Sequence, residues 1–138
     1  EVIEPLLREV GYGDSEYIIT RVPSTEIPEY LVAADVAVSF IKPCYSKQAS
    51  SPTKNAEYLA CGLPIIANAG VGDVDLLIES RGVGALIESF DRESHLEAFD
   101  RVESLGNISA KCREAAQEEF DLRSVGGMRY RRLYSFLQ

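Results

Sequence analysis

Apolar positions along the chain alternate between two spacings. Val2, Ile3, Leu6, Leu7 and Val10 recur at helical intervals up to Gly11, and residues 17–22 then form a short β-rich run. Pro23-Ser24-Thr25 opens a second helix to about Ala34, with Thr25 as its cap and Pro28 tolerated in the first turn. Residues 36–41 form an apolar run interrupted only by Ser39 and read as a strand buried on both faces. A third helix ends at Gly62 and leads into a strand over 64–68; after Gly70 and Gly72, a helix from Asp73 to about Ser80 is stopped by Gly82, and residues 83–87 read as the next strand. Asp91 caps a helix with Leu96, Phe99, Val102 and Leu105 on one face. Asn107 caps another with Ile108, Cys112, Ala115, Ala116 and Phe120, and a basic, aromatic helix from about Arg123 carries Met128, Tyr130, Leu133, Tyr134 and Phe136. Strands linked by helices predict an α/β fold: a Rossmann-like parallel sheet of four strands with flanking helices.

The third helix carries the chemistry. Ser51 suits its N-cap and Pro52 its first position; Gly62 suits the residue after its last turn, and Pro64 forbids continuation. Its N-terminus presents unpaired N–H groups and partial positive charge, and Lys54 adds a full charge there, against the dipole's preference. An anion between the lysine and the helix end accounts for that placement. The helix also follows the carboxyl end of the 36–41 strand, where ligands of such sheets bind. No glycine-rich dinucleotide fingerprint and no Gly-Lys-Ser/Thr phosphate loop occurs, which weighs against NAD binding and ATP hydrolysis.

Composition sharpens this picture at three points. The 138 residues, 46% hydrophobic and 26% charged, fit one globular domain. The net charge of -8 argues against generic attraction to nucleic acid or an anionic membrane, and no apolar run suggests a transmembrane segment. Within this acidic chain no Asp or Glu lies between Asp35 and Glu57, whereas Lys42, Lys47 and Lys54 do, forming a basic island around the helix start. Cys44, Cys61 and Cys112 lack paired spacing, which points away from disulfides and zinc and towards a reducing cytoplasm. His95, between Glu93 and Glu97, reads as a solvated side chain. The chain begins at Glu1 within a helical pattern, so a piece of a longer protein is expected.

With Glu57-Tyr58-Leu59-Ala60-Cys61-Gly62-Leu63-Pro64 at its centre, the chain resembles the C-terminal, nucleotide-sugar-binding domain of group 1 glycosyltransferases, retaining enzymes of two-domain GT-B architecture. Weaker patches are the run Ile27-Pro28-Glu29 through Ala34-Asp35-Val36, Gly70-Val71-Gly72-Asp73, and the terminal Arg129-Tyr130 to Tyr134 helix. The resemblance implies that Ser51, Thr53 and Lys54 hold the donor's diphosphate, that Lys54 is the catalytic cation, and that Glu57 binds the ribose hydroxyls. Lys54 and Glu57 share one helical face, which suits adjoining phosphate and sugar groups. A plain Lys54–Glu57 surface bridge is the structural alternative.

Many family members carry a glutamate eight positions before Glu57, where this chain has Ala49, so the sugar is left open. Lys42, Ser46, Lys47 and Gln48 are further candidates for sugar or phosphate contact, and Arg21 and Val22 for the base. Asp73 is either a helix cap or a ligand contact; Tyr58, Leu59 and Cys61 are packing residues, and Asn55 is expected to face solvent.

The resemblance further implies a nucleoside-diphosphate sugar as substrate, no metal and no other cofactor. Residues 1–138 would be a single donor-binding fragment, lacking the first strands of its domain and the N-terminal acceptor domain, and inactive alone. Its last helix would cross to that domain in the parent, which would be cytoplasmic or peripheral at the membrane. The acceptor, a saccharide, lipid or small molecule, stays open. Alternatives are a sugar-nucleotide epimerase of the same architecture and a non-catalytic α/β module needing a partner subunit.

Overall fold

A computed structural model describes residues 3–42 and 44–136. Val2, counted above in the first apolar stripe, lies outside the described residues. Three parallel strands, β1 (Ala37–Ser39), β2 (Ile65–Asn68) and β3 (Gly84–Ile87), form a sheet in the order β1-β2-β3. Ala37 pairs with Ile65, and Ile65 with Gly84. Gly84 is required by proximity: a Cβ there would stand 1.9 Å from the Ile65 carbonyl oxygen.

Seven α-helices occur among the described residues: α1 (Ile3–Glu9), α2 (Ile27–Leu31), α3 (Thr53–Ala60), α4 (Val74–Arg81), α5 (Arg92–Ser104), α6 (Ser109–Phe120) and α7 (Gly127–Ser135). Strand side chains alternate between faces, so neighbours on β2 serve different cores. Ile65 and Ala67 join Leu59 of α3, Val74 and Ile78 of α4, and Cys112 and Ala115 of α6. Ile66 joins Ala85 and Ile87 against Ala98 of α5. The sheet is thus covered by α3, α4 and α6 on one face and α5 on the other. The Arg81 guanidinium forks between Glu118 and Glu119, tying the end of α4 to α6.

Several sequence expectations change. Residues 17–22 form no strand; Ile18 is 89% exposed, and neither α1 nor α2 buries any residue that could cover a strand at the β1 edge. A β-rich run without a partner ladder or a covering layer stays irregular. For the same reason β1 is not buried on both faces: Ala37 and Ser39 are buried while Val38 is exposed. Helix α2 is shorter than expected, with Glu26 rather than Thr25 at its cap position and no side-chain cap bond.

On α5, Asp91 does accept the Ser94 N–H at 2.8 Å, yet Leu96 and Phe99 are about half exposed, because the helix packs on the sheet through the small Ala98. Helix α7 buries no residue: its Tyr130 and Tyr134 rings stack on each other and remain exposed. Among the described residues no helix is long and apolar enough to cross a membrane.

Candidate functional site

The carboxyl ends of β1 and β2 deliver two loops to one edge of the sheet. From β1 the chain passes Lys42 and a 3-10 turn (Tyr45–Ala49) into α3; from β2 it turns through residues 69–73 into α4. Asn68, the last residue of β2, braces the first loop: its Oδ1 accepts the Ile41 N–H at 2.7 Å and its Nδ2 donates to the Ala69 carbonyl at 3.2 Å. Gly70 N–H donates to the Asp75 carboxylate at 2.9 Å, which closes the second turn. The two loops meet where Gly72, at φ +54, lies against the Ser50 backbone.

Ser51 does not cap α3. Pro52 holds the cap position with no side-chain cap bond, and the Ser51 hydroxyl donates instead to Asp73 Oδ2 at 3.0 Å. The first-turn N–H groups of Thr53 and Lys54 have no partner among the backbone and side-chain bonds of the described residues. The carbonyl of Pro52 accepts the Asn55 N–H. Asp73 holds the cap position of α4, yet its side chain makes no cap bond there either.

Lys54 is half-buried in the first turn of α3, and none of the three ion pairs among the described residues involves it. The Lys54–Glu57 bridge is therefore not formed. Glu57 is exposed one turn later, lining a shallow depression of about 490 Å³ shared with Arg113, Gln117 and Phe120. Burial, and secondarily the charge of Glu57, pushes the neighbouring Tyr58 hydroxyl up.

The remaining sequence candidates divide in two. Lys42, Ser46, Lys47 and Gln48 are exposed on the loop that enters α3, with Ser46 Oγ 3.3 Å from Cys44 Sγ. Arg21 is exposed and Val22 half-buried in the irregular segment before α2, and among the described residues no hydrogen bond or ion pair joins their side chains to the α3 loop.

Asn55 corrects the expectation of a solvent-facing residue: it is 1% exposed, and its Oδ1 has no partner among the described residues. It lies four residues before the fully buried Leu59, so both occupy the sheet-facing side of α3; that spacing was the available signal. Ser39 Oγ at the end of β1 is likewise buried without a partner among the described residues.

A cavity of about 550 Å³ lies at the other end of the sheet, where Asp35 and Val36 precede β1 and Leu63 and Pro64 precede β2. It is away from the carboxyl ends and holds none of the candidate cations. Among the described residues no group of three or more His, Cys, Asp or Glu side chains could hold a metal ion.

A family model described as "Glycosyl transferases group 1" matches residues 1–119. No curated protein matches the chain significantly. Among solved structures, the fold is similar to that of a sucrose-phosphate synthase from Thermosynechococcus elongatus, with a TM-score of 0.70 and 24% sequence identity over 96% of this chain and 34% of that one. The chain thus spans about a third of that structure's length, and at this identity the likeness is one of fold, that of a GT-B enzyme. With the family model covering most of its length, the chain belongs to the group 1 glycosyltransferases.

Proposed function

We propose that this chain is the nucleotide-sugar-binding part of a retaining glycosyltransferase, which transfers a sugar from a nucleoside-diphosphate donor. The observation that carries the reading is Lys54: half-buried, without a carboxylate partner among the described residues, and set in the first turn of a helix at the carboxyl edge of a parallel sheet. The N–H groups of that turn and the lysine face the diphosphate, with Ser51 and Thr53 beside them. Glu57, exposed one turn on, accepts hydrogen bonds from the ribose hydroxyls. Lys42, Ser46, Lys47 and Gln48 extend the contact along the loop, and Arg21 and Val22 border the base.

Breaking the bond between the anomeric carbon and phosphate oxygen leaves negative charge on the departing diphosphate. Preorganised donors that meet this charge lower the barrier. Lys54 and the α3 end supply them without a metal or other cofactor. In this reading the acceptor, a saccharide, lipid or small molecule, is bound by a domain N-terminal to this chain in a longer, cytoplasmic or membrane-peripheral parent, and the piece alone turns nothing over.

The test is calorimetric titration of the full-length parent with a panel of UDP-, GDP- and ADP-sugars. Saturable binding of at least one is expected. Absence of binding across the panel removes the donor reading.

A further inference from the structure

Three polar side chains are buried among the described residues: Ser39 at 3% exposure, Asn55 at 1% and Asn68 at 2%. Asn68 has its partners, in the Ile41 N–H and the Ala69 carbonyl. Ser39 Oγ and Asn55 Oδ1 have none among the described residues. The fold brings these two to one place. Ser39 stands beside Ala67 in the parallel register, and neighbours in register share a face, so Ser39 points to the side where Ala67 packs with Leu59 of α3. Asn55 lies one turn before Leu59 on the sheet-facing side of α3, towards the helix start. Ser39 ends β1 at the carboxyl edge, and α3 starts at that same edge. Both orphan atoms therefore face the layer between β1 and the first turn of α3, and they form no hydrogen bond with each other.

We propose that Ser39 and Asn55 hold one internal water between β1 and α3, and that this bridge makes Asn55 a positioning residue for Lys54. The inference rests on the donor reading above and adds the device that aims its cation. A buried polar oxygen without a hydrogen bond is costly, and an apolar side chain at either position would avoid that cost. A shared water meets the need of both: Ser39 donates its hydroxyl to the water, and the water donates to Asn55 Oδ1. The consequence is orientation. Asn55 follows Lys54 directly, and its own N–H closes the first turn on the Pro52 carbonyl at 3.0 Å. Tying its side chain to the last residue of β1 fixes the rotation of that turn about the helix axis, and with it the direction of Lys54 and of the first-turn N–H groups. Apolar packing alone is non-directional, whereas a hydrogen-bonded bridge has a preferred geometry.

The test uses the full-length parent and the double variant Ser39→Ala/Asn55→Leu, which replaces the whole bridge by apolar groups. Removing both ends of a buried polar contact is nearly neutral or stabilising, so the unfolding midpoint is expected to stay at or above that of the wild type. Turnover at saturating donor is expected to fall at least about fivefold, with the donor KM changed less than kcat, because small misplacements of a catalytic group are costly. In a Lys54→Ala background the same pair is expected to cause no further loss, since Asn55 acts through Lys54. A crystal structure of the wild type is expected to show one ordered water within hydrogen-bond distance of both atoms. Wild-type turnover in the double variant, a loss that follows a lowered midpoint, or a further loss beside Lys54→Ala overturns the positioning role. A dry site overturns the bridge. Should the double variant fail to fold, Ser39→Ala alone is read by turnover and by its effect in the Lys54→Ala background. Failure of the wild type to bind UDP, GDP or ADP removes the donor reading and the positioning role with it, and the crystal structure then decides the bridge by itself.

Discussion

Gly72 and Ser50 touch backbone to backbone: a Cβ on Gly72 would stand 1.6 Å from the Ser50 carbonyl oxygen. This contact holds the turn after β2 against the entry to α3, and it lies one residue from the Ser51–Asp73 hydrogen bond on each strand of chain. Gly72→Ala must both occupy a left-handed conformation, at about 1–2 kcal/mol, and push the two loops apart. Gly70→Ala meets the first cost alone, since no atom lies within 4 Å of its Cβ position. Thermal unfolding is expected to rank Gly72→Ala well below Gly70→Ala, and donor affinity of the parent to fall with Gly72→Ala. Equal midpoints would show that the loops are not locked.

Asp91 provides a pH-dependent check on the cap of α5. The Ser89 hydroxyl and then the Ser94 N–H hold its carboxyl below the ordinary value. A depressed folded pKa stabilises the fold above the unfolded value, about 3.9, and this contribution is lost as the pH falls through the folded value. Asparagine caps nearly as well but carries no charge. The unfolding midpoint of Asp91→Asn is expected to lie below that of the wild type at pH 7, and the gap to narrow as the pH falls below about 3.9. A gap that widens on acidification contradicts the assignment.

The cysteines separate by environment. Cys44 is exposed, and the hydrogen bond from Ser46 holds its thiol below the usual range; Cys112 is fully buried, and desolvation pushes its thiol up. Because the thiolate is the nucleophile, iodoacetamide at neutral pH is expected to alkylate Cys44 at least about tenfold faster than Cys112 in the folded chain. Peptide mass spectrometry reads the ratio, and comparable rates would mean that the α6 core opens readily.

The strands that carry the core are legible in the sequence because local punctuation and burial agree there. Pro64 and Gly82 bound apolar runs that become Ile65–Asn68 and Gly84–Ile87, and the stop at Gly62 and the cap at Asp91 act locally. What is not legible depends on distant partners. The run at 17–22 has strand composition, but among the described residues no strand pairs with it. Ser51 reads as a cap, yet its hydroxyl finds Asp73, 22 positions on. Of the candidate site, the placement of Lys54 and Glu57 on α3 follows from spacing. The engagement of Asp73 and the inward turn of Asn55 need the packed loops.

Lys54 bears the central claim. Loss of one preorganised donor at a developing anion costs on the order of 3 kcal/mol in the barrier. Turnover of the full-length parent at saturating donor is therefore the decisive measurement: Lys54→Ala is expected to lower it at least about tenfold, and unchanged turnover would contradict the assignment of the α3 start to the donor diphosphate.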